Sequence, residues 1–224
     1  MLILSLETST NICSTAIHKD GRLLAYSEIQ VEKSHAEQIT CLAEQVLINS
    51  KVSLKDLDAI AVSAGPGSYT GLRIGSSTAK GFCYSLDKPL IAVNTLQSMA
   101  SKFLIENYLV CPMLDARRME VYYELFDHQN NSIDETRTMI VEDGAFQELL
   151  LNFRIIFCGN GSEKCKHLIT SPNALFIENI YPNARDIGNI ASHMALKLNF
   201  SSPSDFEPFY LKEFIALQPK RQTN

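Results

Sequence analysis

No apolar run in the 224 residues approaches the length of a membrane span. No basic residue precedes the opening Met1-Leu2-Ile3-Leu4, which reads as a strand and not as a secretory leader. Positive charge is scarce: 20 Lys and Arg stand against 25 Asp and Glu, a formal charge of −5. Such a surface suits nucleic-acid phosphates poorly. The basic residues are scattered, apart from Arg117-Arg118 and Lys220-Arg221. Six cysteines (Cys13, Cys41, Cys83, Cys111, Cys158, Cys165) include no CxxC pair, and five lie in apolar-patterned segments. That combination implies reduced, buried thiols in a cytoplasmic protein, with no membrane partner.

Glycine is also sparse, which makes its one cluster stand out. Four of the ten glycines fall within Gly65-Pro66-Gly67-Ser68-Tyr69-Thr70-Gly71-Leu72-Arg73-Ile74-Gly75. The apolar run Ala59–Ala64 precedes this stretch, and a helical pattern of small residues, Leu72–Leu86, follows it. A strand feeding a glycine-rich turn that opens a helix can aim backbone N–H groups at an anion. The plainer alternative is a turn that lets the helix pack closely on its neighbour.

The chain reads as one pattern written twice. Residues 2–6 form a buried strand and Glu7-Thr8-Ser9-Thr10 a polar turn. Strands Ile12–His18 and Leu23–Val31 flank an Asp20-Gly21 hairpin turn. Ser34 and Glu37 are spaced as a capping box before a helix carrying Ile39, Leu42, Ala43, Val46 and Leu47. Strand 59–64, the glycine loop with its helix, strand 89–93 and helix 96–104 complete the order βββαβαβα. The second half repeats it with strands 109–114, 121–126 and 136–141, helix 142–151, strand 154–158, a short helix through His167, strand 174–180 and helix 184–198. Glu7 and Asp115 fall at matching places after the first strand of each half, as do Gly65-Pro66-Gly67 and Gly159-Asn160-Gly161. Two such halves predict an α/β, two-lobed actin-like ATPase architecture (the ASKHA, RNase H-like fold), with residues 1–104 and 105–224 as its lobes.

Four stretches resemble the TsaB (YeaZ) family. They are Leu4-Ser5-Leu6-Glu7-Thr8-Ser9, the glycine motif of residues 65–75, Asp115-Ala116-Arg117-Arg118-Met119-Glu120-Val121-Tyr122, and Pro208-Phe209-Tyr210-Leu211. The resemblance implies a noncatalytic, activating subunit. Its partner would be a TsaD-like threonylcarbamoyltransferase that makes threonylcarbamoyladenosine beside the tRNA anticodon. It further implies a TsaE-like ATPase in the larger assembly, a homodimer when the chain is alone, and tRNA contact only through the partner. No cofactor is expected in this chain by itself, and ATP or ADP is left open at the partner interface. TsaD-like enzymes carry a metal-binding HxxxH on the helix after the third strand. Here His35 is followed four residues on by Ile39, so no histidine pair and no metal site are expected.

The resemblance places the partner interface on the two helices of residues 34–50 and 70–86, through His35, Ile39, Leu42, Val46, Gly71, Arg73, Gly75, Ala79 and Phe82. Leu42 and Leu47 point about 140° apart at ~100° per residue, a wider stripe than one sheet contact needs. Base rates favour His35 as a solvated first-turn residue, with a polar partner contact as the alternative. Glu7, Thr8, Ser9, Gly65, Gly67, Asp115 and Gly159 form a candidate vestigial nucleotide cleft. The turn Glu7-Thr8-Ser9-Thr10 lacks glycine, which disfavours ATP hydrolysis. A glycoprotease-like peptidase is disfavoured by the absence of GxSxG and of a metal motif.

Overall fold

The alternation of apolar residues in the first half produces three antiparallel strands followed by helices and parallel strands. In the computed structural model, which describes residues 1–30 and 34–211, these are β1 (Leu2–Glu7), β2 (Cys13–Lys19), β3 (Arg22–Ile29), α1 (His35–Ser50), β4 (Ala59–Gly65), α2 (Tyr69–Leu86), β5 (Leu90–Asn94) and α3 (Thr95–Ala100). The second half follows the same order: β6 (Tyr108–Asp115), β7 (Glu120–Tyr123), β8 (Arg137–Ile140), α4 (Gln147–Asn152), β9 (Arg154–Cys158), α5 (Asn160–Cys165), β10 (Ala174–Ile177) and α6 (Ala184–Leu196). The two sheets, β3-β2-β1-β4-β5 and β8-β7-β6-β9-β10, share one strand order. The first three strands of each pair antiparallel, and the fourth and fifth run parallel to the first.

The first sheet is covered on both faces. Leu4 and Leu6 of β1 and Ile60 and Val62 of β4 meet Ile39, Val46 and Ala79 of α1 and α2. On the other face, Ile3, Ala59, Ala61, Ile91 and Val93 meet Ile187, Ala191 and Ala195 of α6. That helix belongs by sequence to the second half. The exchange is mutual: Leu96, Met99 and Ala100 of α3 pack on Val110, Leu114 and Ile156 of the second sheet. Lys102, just after α3, pairs with Asp186 in the first turn of α6, tying the exchanged helices together. The chain then returns along the first sheet. Ser201 bridges to Leu90, Phe206 enters the α1/α2 core, and the Phe209 N–H donates to the Ala64 carbonyl at 2.7 Å.

Local departures from the pattern have local causes. Ser34 stands at the start of α1 with helical backbone (φ −107°, ψ 0°) and donates no capping oxygen to the helix, so the expected capping box with Glu37 is not formed. Expected strand residue Val31 lies outside the described residues. The helix expected at 96–104 starts at Thr95 and ends at Ala100, capped by the Asn94 side chain, which accepts from the Leu96 and Gln97 amides. Left-handed Phe146 (φ 63°) delays α4 to Gln147.

Candidate docking face and sealed cleft

The glycine motif does its work against the β1–β2 turn. A Cβ at Gly71 would collide with the Thr8 carbonyl, one at Gly75 with the Thr8 hydroxyl, and one at Gly67 would lie 2.6 Å from the Ser9 carbonyl oxygen. The bare backbone at these positions lets the turn sit directly on the first turns of α2. The contact is locked by two hydrogen bonds. The Thr8 hydroxyl donates to the Gly71 carbonyl at 2.7 Å, and the Ser68 N–H donates to the Ser9 carbonyl at 2.7 Å. The Ser68 hydroxyl takes the Gly71 N–H at 3.3 Å as the helix cap. The Ser68 and Gly71 N–H groups, two of the donors an anion could have used, are therefore bonded within the protein. At Gly67, Gly71 and Gly75 the motif makes the close packing of the plainer alternative. The second half uses the same device. A Cβ at Gly159 would strike the Met113 carbonyl, and one at Gly161 would lie 2.8 Å from the Leu114 carbonyl carbon.

The two matched carboxylates have opposite surroundings. Glu7 is fully buried; its Oε1 accepts the Ser9 N–H at 2.5 Å, and its Oε2 has no partner of good geometry. Burial pushes this carboxyl above its ordinary range, against the lowering pull of the nearby Ser9 and Ser63 hydroxyl dipoles and backbone amides. Burial and the neighbouring Glu7 together push the Cys13 thiol up to about 12. Asp115 is exposed. It caps its own turn by accepting the Arg117 N–H at 2.8 Å and pairs with Lys164. The Lys164 ammonium also donates to the carbonyls of Arg118 and Glu120, each at 2.7 Å, and so clamps the β6–β7 hairpin. A fully buried carboxyl and an exposed, neutralised one do not make the symmetric acid pair that Glu7 and Asp115 suggest in sequence. Among the described residues no group of three or more His, Cys, Asp or Glu is arranged to hold a metal ion.

The expected interface residues of α1 and α2 divide between the core and the surface. Ile39, Leu42, Val46 and Ala79 are buried in the core of their own half, and Gly71 and Gly75 face Thr8. The wide stripe is filled from within, because α1 packs on both β2 and β3 and also touches α2. His35 is buried too, not solvated: its Nε2–H donates to the Thr10 carbonyl at 2.9 Å and tethers the polar turn from the other side. Since a carbonyl can only accept, Nε2 carries the proton. Of the predicted interface residues, Arg73 is exposed and Phe82 half-buried. The outward faces of the helices are what the stripe leaves over. Between them lies a shallow groove of about 470 Å³ lined by Ala36 of α1 and Tyr69, Arg73, Ile74, Ser77 and Thr78 of α2. Of these, the sequence pattern marks Arg73 and, within the small-residue stripe of α2, Thr78, whereas Ala36 and Ser77 carry no such mark. Further along α2, Gly81 has open space where a side chain would sit, and Tyr84 is 63% exposed.

Comparison with known proteins decides the ancestry. Residues 28–196 match the family model described as TsaD, tRNA N6-adenosine threonylcarbamoyltransferase. The tRNA threonylcarbamoyladenosine biosynthesis protein TsaB of Escherichia coli is 30% identical over 96% of both chains. The chain belongs to the TsaB (YeaZ) family. The solved structure of YeaZ from Pseudomonas aeruginosa superposes with a TM-score of 0.81 at 25% identity, covering 94% of this chain and 99% of that one. A Listeria monocytogenes protein described as an N-acetylmannosamine kinase shares the fold at TM-score 0.51 and 11% identity, over 89% of this chain and 100% of that one. The chain thus has the actin-like fold, and no helix among the described residues is long and apolar enough to cross a membrane.

Proposed function

We propose that this chain is the noncatalytic subunit that docks on a TsaD-like threonylcarbamoyltransferase for threonylcarbamoyladenosine modification of tRNA next to the anticodon. The observation that carries this reading is the contrast within one half: the inner cleft is closed by its own turn, while the outer α1/α2 face is open and grooved. A chain of this fold whose first-half acid is buried, and whose Ser68 and Gly71 amides are internally bonded, is poorly equipped for phosphoryl chemistry. Its two long helices offer a rigid face instead. Small and polar groups at Ala36, Ser77, Thr78 and Gly81 would let the helices of a partner approach closely. Arg73 adds a cation at the rim. The lobes would be residues 1–104 and 105–224, and the threonylcarbamoyl group would be handled by the partner.

In this reading a TsaE-like ATPase joins the larger assembly, tRNA is held by the partner, ATP or ADP binds where the two chains meet, and the same face pairs two copies when the chain is alone. The experiment is light scattering on a sizing column, with the chain alone and mixed with the TsaD-like enzyme of its own organism. A stoichiometric complex, lost on Ser77→Arg and Thr78→Arg without loss of the folded monomer, is expected. Unchanged assembly in the double variant would move the interface elsewhere. ATP turnover by the isolated chain, abolished by Glu7→Gln, would support a nucleotide-hydrolysing enzyme instead.

A further inference from the structure

The segment after α6 returns to the first residues of α2. Phe206 packs in the α1/α2 core with the Lys80 ammonium 5.9 Å from its ring, and the Phe209 N–H donates to the Ala64 carbonyl at the C-terminal end of β4. The Phe209 carbonyl lies where a Cβ on Gly65 would be, 2.7 Å away, so this glycine is left bare for the strap. Tyr210 then sets its ring against Tyr69 at 5.0 Å between centroids and a 47° tilt. Tyr69 in turn holds Arg73: the guanidinium carbon stands 5.3 Å from the Tyr69 ring centroid, and Nη1 donates to the Tyr69 hydroxyl at 2.9 Å. One relay therefore runs from a residue of the second half, across the first residue of α2, to a cation on the rim of the groove.

We propose that Tyr210 is a positioning residue for the docking face: by fixing Tyr69 it presets Arg73 to meet a carboxylate of the partner enzyme. This rests on the docking reading above. A long arginine left loose on a surface loses side-chain entropy when it binds, and that loss erodes the gain of an exposed ion pair. An arginine already stacked and hydrogen-bonded has lost it before the partner arrives. Only one of its five N–H donors goes to Tyr69, so a forked face remains for a carboxylate. Among the described residues Arg73 forms no ion pair, although the chain is acidic overall.

The test is a double-mutant cycle on heterodimer affinity, measured by calorimetry at two salt concentrations with the full chain and the TsaD-like enzyme. Arg73→Ala and Tyr210→Ala should each weaken binding about fivefold to tenfold and lower its salt sensitivity. The double variant should be no weaker than either one. Tyr210→Phe, which keeps the ring, should restore affinity. An unchanged thermal midpoint of the free Tyr210→Ala chain shows that the fold is not what was lost. Additive effects, or normal affinity in Tyr210→Ala, overturn the proposal. The Ser77→Arg, Thr78→Arg variant separates the two ideas: if it breaks the complex while Tyr210→Ala does not, the docking reading stands and the relay falls.

Discussion

The two halves share a strand order and a glycine device, and have spent them differently. In the first half the turn after β1 is pressed onto α2, Glu7 is sealed, and the helices on the sheet run to 16 and 18 residues. In the second half Asp115 stays at the surface under Lys164, and the matching helices α4 and α5 have 6 residues each. Closure and helix length go together. A long α2 needs a continuous bed, and Thr8 and Ser9 supply it at Gly67, Gly71 and Gly75. The half with the sealed acid is also the half that carries the grooved outward face.

The largest test of this contrast is Gly71→Val. Its branched side chain would meet the Thr8 backbone, which cannot swing aside, and the loss of stability should exceed about 3 kcal/mol by denaturant unfolding. Gly81→Ala, on the open side of the same helix, should gain about 0.5–1 kcal/mol. If both glycines tolerate alanine and valine alike, the bed is not tight. Ile39→Glu ranks with the first. A carboxylate in the α1/α2 core should cost several kcal/mol, and thermal unfolding would show the monomer itself lost rather than the partner alone.

The carboxylates give a finer test. Glu7 has a raised folded pKa, so its contribution to stability is present below about pH 4.5 and is lost as pH rises through the folded value. Glu7→Gln should therefore hold or raise the thermal midpoint at pH 7 and flatten its decline above pH 4.5. Buried His18, lowered chiefly by desolvation, has the opposite sign: its contribution is present above about pH 6.5 and falls away as pH drops. His18→Asn should remove that acid-side loss. Asp115→Asn in the second half is the smallest effect. It should stay within about 1 kcal/mol globally, since Asn keeps an oxygen for the Arg117 N–H and loses only the charge that pairs with Lys164, and it should show as faster amide exchange in the β6–β7 hairpin that Lys164 clamps.

The order of elements was legible because strands of period two and helices of period 3.6 alternate twice around matched turns. Which side of a helix faces its own sheet was not. Ile39, Leu42 and Val46 fit a core or an interface equally well, and only the packing of α1 on both β2 and β3 settles it. The small residues Gly71, Gly75 and Ala79 follow a line of four that could have been matched to the turn at Thr8, whose hydroxyl and carbonyl need that room. Apart from Ala36, Ile74 and the Tyr69 ring, the groove is lined by polar side chains that a hydrophobic pattern does not mark. Ala36 and Ser77 are informative only as the remainder once the buried stripe is known. The burial of Glu7 and of His35 depends on neighbours far along the chain, which local pattern does not report.

The exchange of α3 and α6 has a mechanical consequence. Neither sheet owns the helix that covers its second face, so a cut near residue 104 should yield two fragments that fold only together, as a split reporter does. The same crossing acts as a double latch. An opening motion of the kind that admits a ligand between two lobes would have to peel Ile187 and Ala191 from one sheet and Leu96 and Met99 from the other at once. Residues on two exchanged helices would thus resist such an opening together rather than one after the other.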